Sequence, residues 1–239
     1  MKRKIRVVCA TRATREAFFA TTALGRSWIP YGSSPACELT VYASNTASLP
    51  IVYNHAIEAA AADPAILVFM HDDVYLCDLY WRARVREAVE AFDIVGVAGN
   101  RRRNPKQPGW LFVDENFTWD AKEYLSGTIG HGNGFPCSNI SVFGPSMQLC
   151  KLLDGVMLCV ESHKLEASRL RFDPQFAFHF YDMDFCRQAE ATGLRMGTWP
   201  ISLIHESPGK FGSVAWKAAQ PESKIPIQQL VDFSDHRLK

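Results

Sequence analysis

Two patterns alternate over residues 1–99. Short apolar, β-branched runs at IRVVCA (5–10), ELTVYAS (38–44), AILVFM (65–70) and DIVGVAG (93–99) have the length and make-up of buried strands. Helical stretches separate them. A helix is expected within 14–24 with Gly25 just past its end. Another covers LPIVYNHAIEAAAADP, rich in Ala and stopped at Asp63-Pro64. In WRARVREAVEAF (81–92), Trp81, Val85, Ala88, Val89 and Phe92 fall on one face of an amphipathic helix. This alternation predicts a mostly parallel sheet covered by helices.

Ligands of such sheets bind at the carboxyl ends of the strands. The ends carry Ala10-Thr11-Arg12, Ser44-Asn45 and His71-Asp72-Asp73, so three polar segments should share one rim. In FMHDDVYLCD (69–78), two carboxylates adjoin an imidazole. Ionised together, the carboxylates repel, and either a divalent cation with a phosphate-bearing ligand or a plain polar turn accounts for them.

The alternation breaks at residues 100–150, where Gly127, Gly130, Gly132, Gly134, Pro136, Gly144 and Pro145 predict loops and short strands. Trp110, Phe112, Phe117, Trp119 and Tyr124 lie here too. They can stack on a sugar or pin the insertion to the body, and pinning is the preferred reading. LLDGVMLCVES (152–162) reads as a strand or strand pair. A helix then runs from about Asp182 or Asp184 to Thr192, with Gly193 at C′. RMGTWPISLIHESPGKFG gives a strand ending at His205 and a Gly-containing loop, and a polar tail follows about residue 220.

Composition narrows the partners. The chain has 239 residues, 47% of them hydrophobic, ample for a sizeable core. The formal charge of +1 gives no electrostatic case for nucleic acid or an anionic membrane. The longest apolar runs are too short to span a bilayer. MKRKIRVVCATR reads as a first strand, not a signal peptide. Seven cysteines without a C-x-x-C pair argue for reduced thiols, hence a cytoplasmic protein, and against a zinc knuckle.

In this order, the pieces resemble the GT-A-fold nucleotide-sugar glycosyltransferases, in particular their family 2-like group. The resemblance runs from VVCATR to HESPG. It rests on the nucleotide-binding alternation, on VFMHDDV at the D-x-D position, on LLDGVML, on FDPQFAFHFYDMDFCRQAEATGL and on the late IHESPG. D-x-D is frequent by chance; the Y-D-x-D-F-C helix followed by a late His is more specific. It implies a single Rossmann-like α/β domain over 1–239, with a nucleotide-binding half (1–99), the loop-rich insertion (100–150), an acceptor-side half with a small antiparallel part (151–220) and a tail.

The resemblance also implies site roles. D-x-D maps onto His71 and Asp73, a departure in which His replaces the first Asp. Asp73 becomes the leading ligand for Mn²⁺ or Mg²⁺, with a capping turn as the plain alternative. His71 would ligate the metal or contact the nucleotide, and its imidazole favours Mn²⁺. His205 is a third ligand or a structural histidine. Asp182 occupies the general-base position of an inverting transfer and Asp184 is second choice; either can instead cap its helix. Thr11 and Arg12 would meet the nucleotide, Asn45 the base or ribose, and Asp72 the ribose or sugar. Asp154 and Gly155 would frame a sugar, or form a buried turn. Lys210 would reach a phosphate or stand exposed. Asn54 reads first as a cap, and Arg101-Arg102-Arg103 as solvated surface or an anion site.

The expected substrates are a nucleoside-diphosphate sugar and a hydroxyl acceptor: a glycan, a lipid-linked sugar or a protein. A lipid-linked acceptor would hold the protein at a membrane periphery. Without a Q-x-x-R-W element, one sugar is added rather than a polymer. A sugar-nucleotide nucleotidyltransferase is the nearest other enzyme, but CATRATREAF lacks the glycines of its phosphate loop. A sugar-nucleotide or glycan binding protein with degenerate chemistry is the non-enzymatic alternative, and the Asp182/Asp184 pair speaks against it.

Overall fold

The computed structural model describes residues 3–32, 34–105 and 107–207 and the single positions 212, 214 and 216. Lys210 and the tail after 220 lie outside the described residues.

In chain order the elements begin β1 (Ile5–Ala10), α1 (Arg15–Thr21), α2 (Ala23–Trp28), β2 (Cys37–Tyr42), α3 (Leu49–Ala59), β3 (Ile66–Met70), β4 (Val74–Leu76) and α4 (Trp81–Ala91). The middle supplies β5 (Ile94–Gly96), β6 (Ala98–Asn100), β7 (Leu125–His131), β8 (Asn139–Gly144), β9 (Leu149–Cys150), β10 (Leu152–Leu153) and β11 (Met157–Glu161). The chain continues through α5 (Ser162–Ser168), α6 (Tyr181–Ala191), β12 (Met196–Thr198) and β13 (Leu203–His205).

The strands form two sheets, in the orders β2-β1-β3-β11-β5-β12-β9 and β10-β6-β7-β13-β4, with β8 paired to β7. Both are mixed, which corrects the expectation of a mostly parallel sheet. β2-β1-β3 and β5-β12 are parallel, but β11 lies between β3 and β5 and runs antiparallel to both. The reason is physical: a wholly buried run such as MLCVE satisfies the core equally well in either direction. Its direction also matters for the site. An antiparallel β11 brings its first residues to the rim where β3 ends, so Met157 pairs with Met70 and His71 N–H donates to Val156 O at 3.3 Å.

One hydrophobic core joins the two sheets, taking in Phe69 and Val160 from the first and Leu76, Leu125 and Leu203 from the second. α4 follows its sequence pattern, burying Trp81, Val85, Ala88 and Val89; each large side chain contributes about 1.5–3 kcal/mol. Trp110 and Phe112 are buried and pin the insertion to the body, whereas Trp119 is exposed.

Smaller expectations needed correction. Gly25 sits inside α2, not past a helix end: a Cβ there would lie 2.0 Å from Phe18 O, so the glycine permits α1 and α2 to close on each other. DIVGVAG divides between the two sheets as β5 and β6. Asn54 is no cap. It lies within α3, donating to Phe172 O at 2.7 Å and accepting from Phe172 N–H at 2.9 Å. The arginine run is tied into the fold, Arg102 to Asp120 and Arg103 to Glu190.

Candidate metal and acid–base site

Three elements deliver the metal candidates. His71 leaves the end of β3, Asp73 opens β4, and His205 closes β13, which pairs antiparallel with β4 so that His205 faces Val74. Their ligand atoms lie within 4.8 Å of one another. Asp73 Oδ1 is 3.3 Å from His205 Nε2 and 3.9 Å from His71 Nδ1. It is a buried atom, yet among the described residues no group donates an aligned hydrogen bond to it: His205 stands at ion-pair distance without the alignment.

The electrostatics of the trio are mutual. Burial raises the Asp73 carboxyl, but His205 and then His71 outweigh it and hold the group below the usual carboxylate value. Burial lowers His205, and Asp73 more than compensates, with help from Asp154. His71 is lowered, chiefly by burial. A two-nitrogen, one-carboxylate donor set with an unsatisfied buried oxygen fits a divalent cation, and its imidazoles favour transition metals over Mg²⁺. Among the described residues, the trio is the group able to hold a metal ion.

The acids of α6 approach from the other side. The helix starts after Phe180, which is left-handed at φ 65°, and His71 Nε2 lies 2.8 Å from the Tyr181 hydroxyl. Asp182 accepts from Gly155 N–H at 3.0 Å and from Met183 N–H at 2.9 Å, so it ties the helix start to the Gly155 turn. Burial, then the nearby Asp154 charge, push its carboxyl up to about 6 against those two donors. Asp184 has another occupation. It is buried and bound by Arg187 and Gln188 of its own helix, which leaves it no part at the rim.

The remaining candidates divide. Asp72 accepts from Thr11 Oγ1 at 2.6 Å, and Thr11 O accepts from Asn45 N–H at 2.8 Å, so the three strand ends do meet. Asn45 spends its side chain on Ala47. Arg12 is exposed. Asp154 accepts from Trp110 Nε1 at 2.8 Å and from Val156 N–H at 2.9 Å. Gly155 is sterically required, because a Cβ would lie 2.4 Å from Tyr181 Oη.

No family model matches the chain, and no curated protein does. Among solved structures it is similar to A197 from STIV, at 10% identity over 86% of this chain and 95% of that one, with a TM-score of 0.48. A likeness at that level carries nothing about chemistry.

Three site neighbours escaped sequence reasoning. Phe178 is half exposed and stacked on the His71 ring, centroids 5.8 Å apart. Tyr181 belongs to the Y-D-x-D-F-C stretch, where the resemblance assigns roles to the acids and none to the tyrosine. His131 pairs with His205 across β7 and β13, its Nε2 2.9 Å from Ser141 Oγ. An aromatic next to an acid is a faint signal for Tyr181; nothing local signals the other two.

Proposed function

We propose that the protein is a divalent-cation-dependent glycosyltransferase that moves a sugar from a nucleoside-diphosphate donor to a hydroxyl acceptor, with inversion. The observation that carries this reading is the buried, unsatisfied Asp73 Oδ1 between two histidines, within two side chains of a carboxyl raised to about 6. The resemblance in sequence supplies the substrate class.

On this reading His71, Asp73 and His205 hold Mn²⁺ or Mg²⁺. Once bound, the cation neutralises the charge that develops on the diphosphate leaving group. Asp182, ionised above about 6, takes the acceptor hydroxyl proton as that oxygen attacks the anomeric carbon. The bond from sugar to phosphate breaks, and its electron pair leaves with the diphosphate. The Thr11–Asp72 contact stiffens the nucleotide side of the rim. Phe178 offers a face on which a ring can stack. Among the described residues no helix is long and apolar enough to cross a membrane.

Calorimetry with a panel of nucleoside diphosphates, with and without Mn²⁺, followed by donor hydrolysis assays, tests the proposal. Metal-dependent binding with slow donor hydrolysis is expected. Tight binding with no turnover of any donor would favour a sugar-nucleotide binding protein instead.

A further inference from the structure

Tyr181 has no part in the mechanism above, yet its position is constrained. It is buried at the first turn of α6 beside Tyr53, and its hydroxyl has hydrogen-bonding contacts with Gly155 O at 2.9 Å and His71 Nε2 at 2.8 Å. A phenol has one hydrogen, and a carbonyl oxygen can only accept. If the hydrogen went to His71, two oxygens would face each other at 2.9 Å with no proton between them. Both contacts are satisfied only when Tyr181 donates to Gly155 O and His71 Nε2–H donates to Tyr181 Oη.

A neutral imidazole protonated on Nε2 keeps its lone pair on Nδ1. Nδ1 is the atom that faces Asp73 Oδ1 at 3.9 Å. We infer that Tyr181 is a positioning residue that locks His71 in the Nε2–H tautomer and thereby presents Nδ1 as the ligand atom. This inference rests on the cation reading of the trio. Metal-binding histidines depend on such partners, whose loss lowers metal affinity about 10–100-fold.

Gly155 extends the device toward the acid. Its carbonyl takes the Tyr181 hydrogen, while its own N–H donates to Asp182 Oδ2 at 3.0 Å. A side chain at 155 would push on both partners, since its Cβ would stand 2.4 Å from Tyr181 Oη and 2.9 Å from Asp182 Cβ. One residue's two backbone groups therefore set the ligand tautomer and orient the base.

Two readouts test this on the full chain. The first uses metal-free protein labelled with ¹⁵N-histidine, with His71→Gln assigning the resonances. Wild type should show the proton of His71 on Nε2, and Tyr181→Phe should show a mixture of tautomers. The second is Mn²⁺ and Mg²⁺ titration. Tyr181→Phe should lose about 10–100-fold in Mn²⁺ affinity and narrow the preference for Mn²⁺, whereas general loosening would lower both ions alike. Finding the proton on Nδ1 in wild type would overturn the inference even if the variant fails to fold. So would a folded Tyr181→Phe with unchanged tautomer and Mn²⁺ affinity. If wild type binds no Mn²⁺ at any concentration tested, the cation reading falls, and the tautomer measurement still decides what Tyr181 does to His71.

Discussion

Asp73 and Asp120 are both largely shielded carboxylates beside basic groups, and they are finished in opposite ways. Asp120, in the insertion, accepts from Asn100 Nδ2 at 2.9 Å, from Arg102 Nε at 2.9 Å and from Ala121 N–H at 2.8 Å. Arg102 in turn lies over the Tyr124 ring, 3.7 Å from its centroid. Asp73, at the rim, has a buried oxygen with no aligned donor among the described residues. Both carboxyls are held below their ordinary value, so electrostatics alone does not separate them. Satisfaction does. Asp120 is complete within the chain, and Asp73 Oδ1 has no aligned donor among the described residues.

Truncating each acid breaks the comparison most severely. Asp73→Ala should abolish Mn²⁺-dependent diphosphate binding while leaving the melting temperature of the metal-free protein nearly unchanged. Asp120→Ala should do the reverse: nucleotide affinity stays, and stability falls by about 1–3 kcal/mol through the one Asn100 amide N–H left without its acceptor, the other still reaching Trp110 O. The Arg102 guanidinium, partly exposed but bidentate on the buried carboxylate, adds to that loss. Calorimetry and thermal melts on the two variants suffice. If Asp73→Ala destabilises as much as Asp120→Ala, the rim acid is structural.

The next largest effect concerns Asp182. Asp182→Asn should retain Mn²⁺ and diphosphate affinity while kcat falls about 10²–10⁴-fold. Only the ionised carboxylate accepts a proton, so kcat/KM of wild type should drop as pH falls through about 6. Asp154→Asn removes the second cause of that shift and should move the acid limb lower. The same shift acts on stability. A carboxyl raised from 3.8 to about 6 on folding lets stability decline as pH rises across that window, the reverse of a salt-bridged acid. A flat rate profile between pH 5 and 8 would move the base elsewhere.

These contrasts also mark what the sequence makes legible. The buried runs and α4 are plain, because apolar periodicity reports burial directly. The rim residues are plain as polar groups at strand ends. Strand direction is not: MLCVE reads as buried whichever way it runs, and the antiparallel placement of β11 is what carries Asp154 and Gly155 to His71. The β4–β13 pairing that joins Asp73 to His205 is equally silent, since its partners are about 130 residues apart in the chain. Tyr181 hid for another reason. The Y-D-x-D-F-C stretch draws the eye to its acids, and the tyrosine's contacts lie at one hydroxyl whose two partners are distant in sequence.

Gly155→Ala sharpens the comparison at the backbone. The new Cβ meets Tyr181 and Asp182 inside normal contact distance, so either α6 or the 154–156 turn must shift. Overpacking of this kind costs about 1–3 kcal/mol. Because the shift strikes ligand tautomer and base together, Mn²⁺ affinity and kcat should fall in the same variant, whereas Asp182→Asn lowers kcat alone. Loss of stability without loss of Mn²⁺ affinity would uncouple Gly155 from the cation side.

The smallest expected effect is the most discriminating for α6 itself. Asp182 and Asp184 are two residues apart on one helix, so a general benefit of carboxylates at a helix start would act on both. Their partners differ. Asp184 is closed off by Arg187 and Gln188 from the following turn, and Asp182 reaches out of the helix to Gly155. Asp184→Asn keeps the shape and most of the hydrogen bonding to Gln188, losing only a partly exposed ion pair with Arg187. The expected result is a stability loss of roughly 0.2–1 kcal/mol with kcat within a few-fold of wild type. Stopped assays and melts on Asp182→Asn and Asp184→Asn side by side read the difference. If Asp184→Asn loses as much kcat as Asp182→Asn, the two acids act as one unit, and the base cannot be assigned to the residue that faces Gly155.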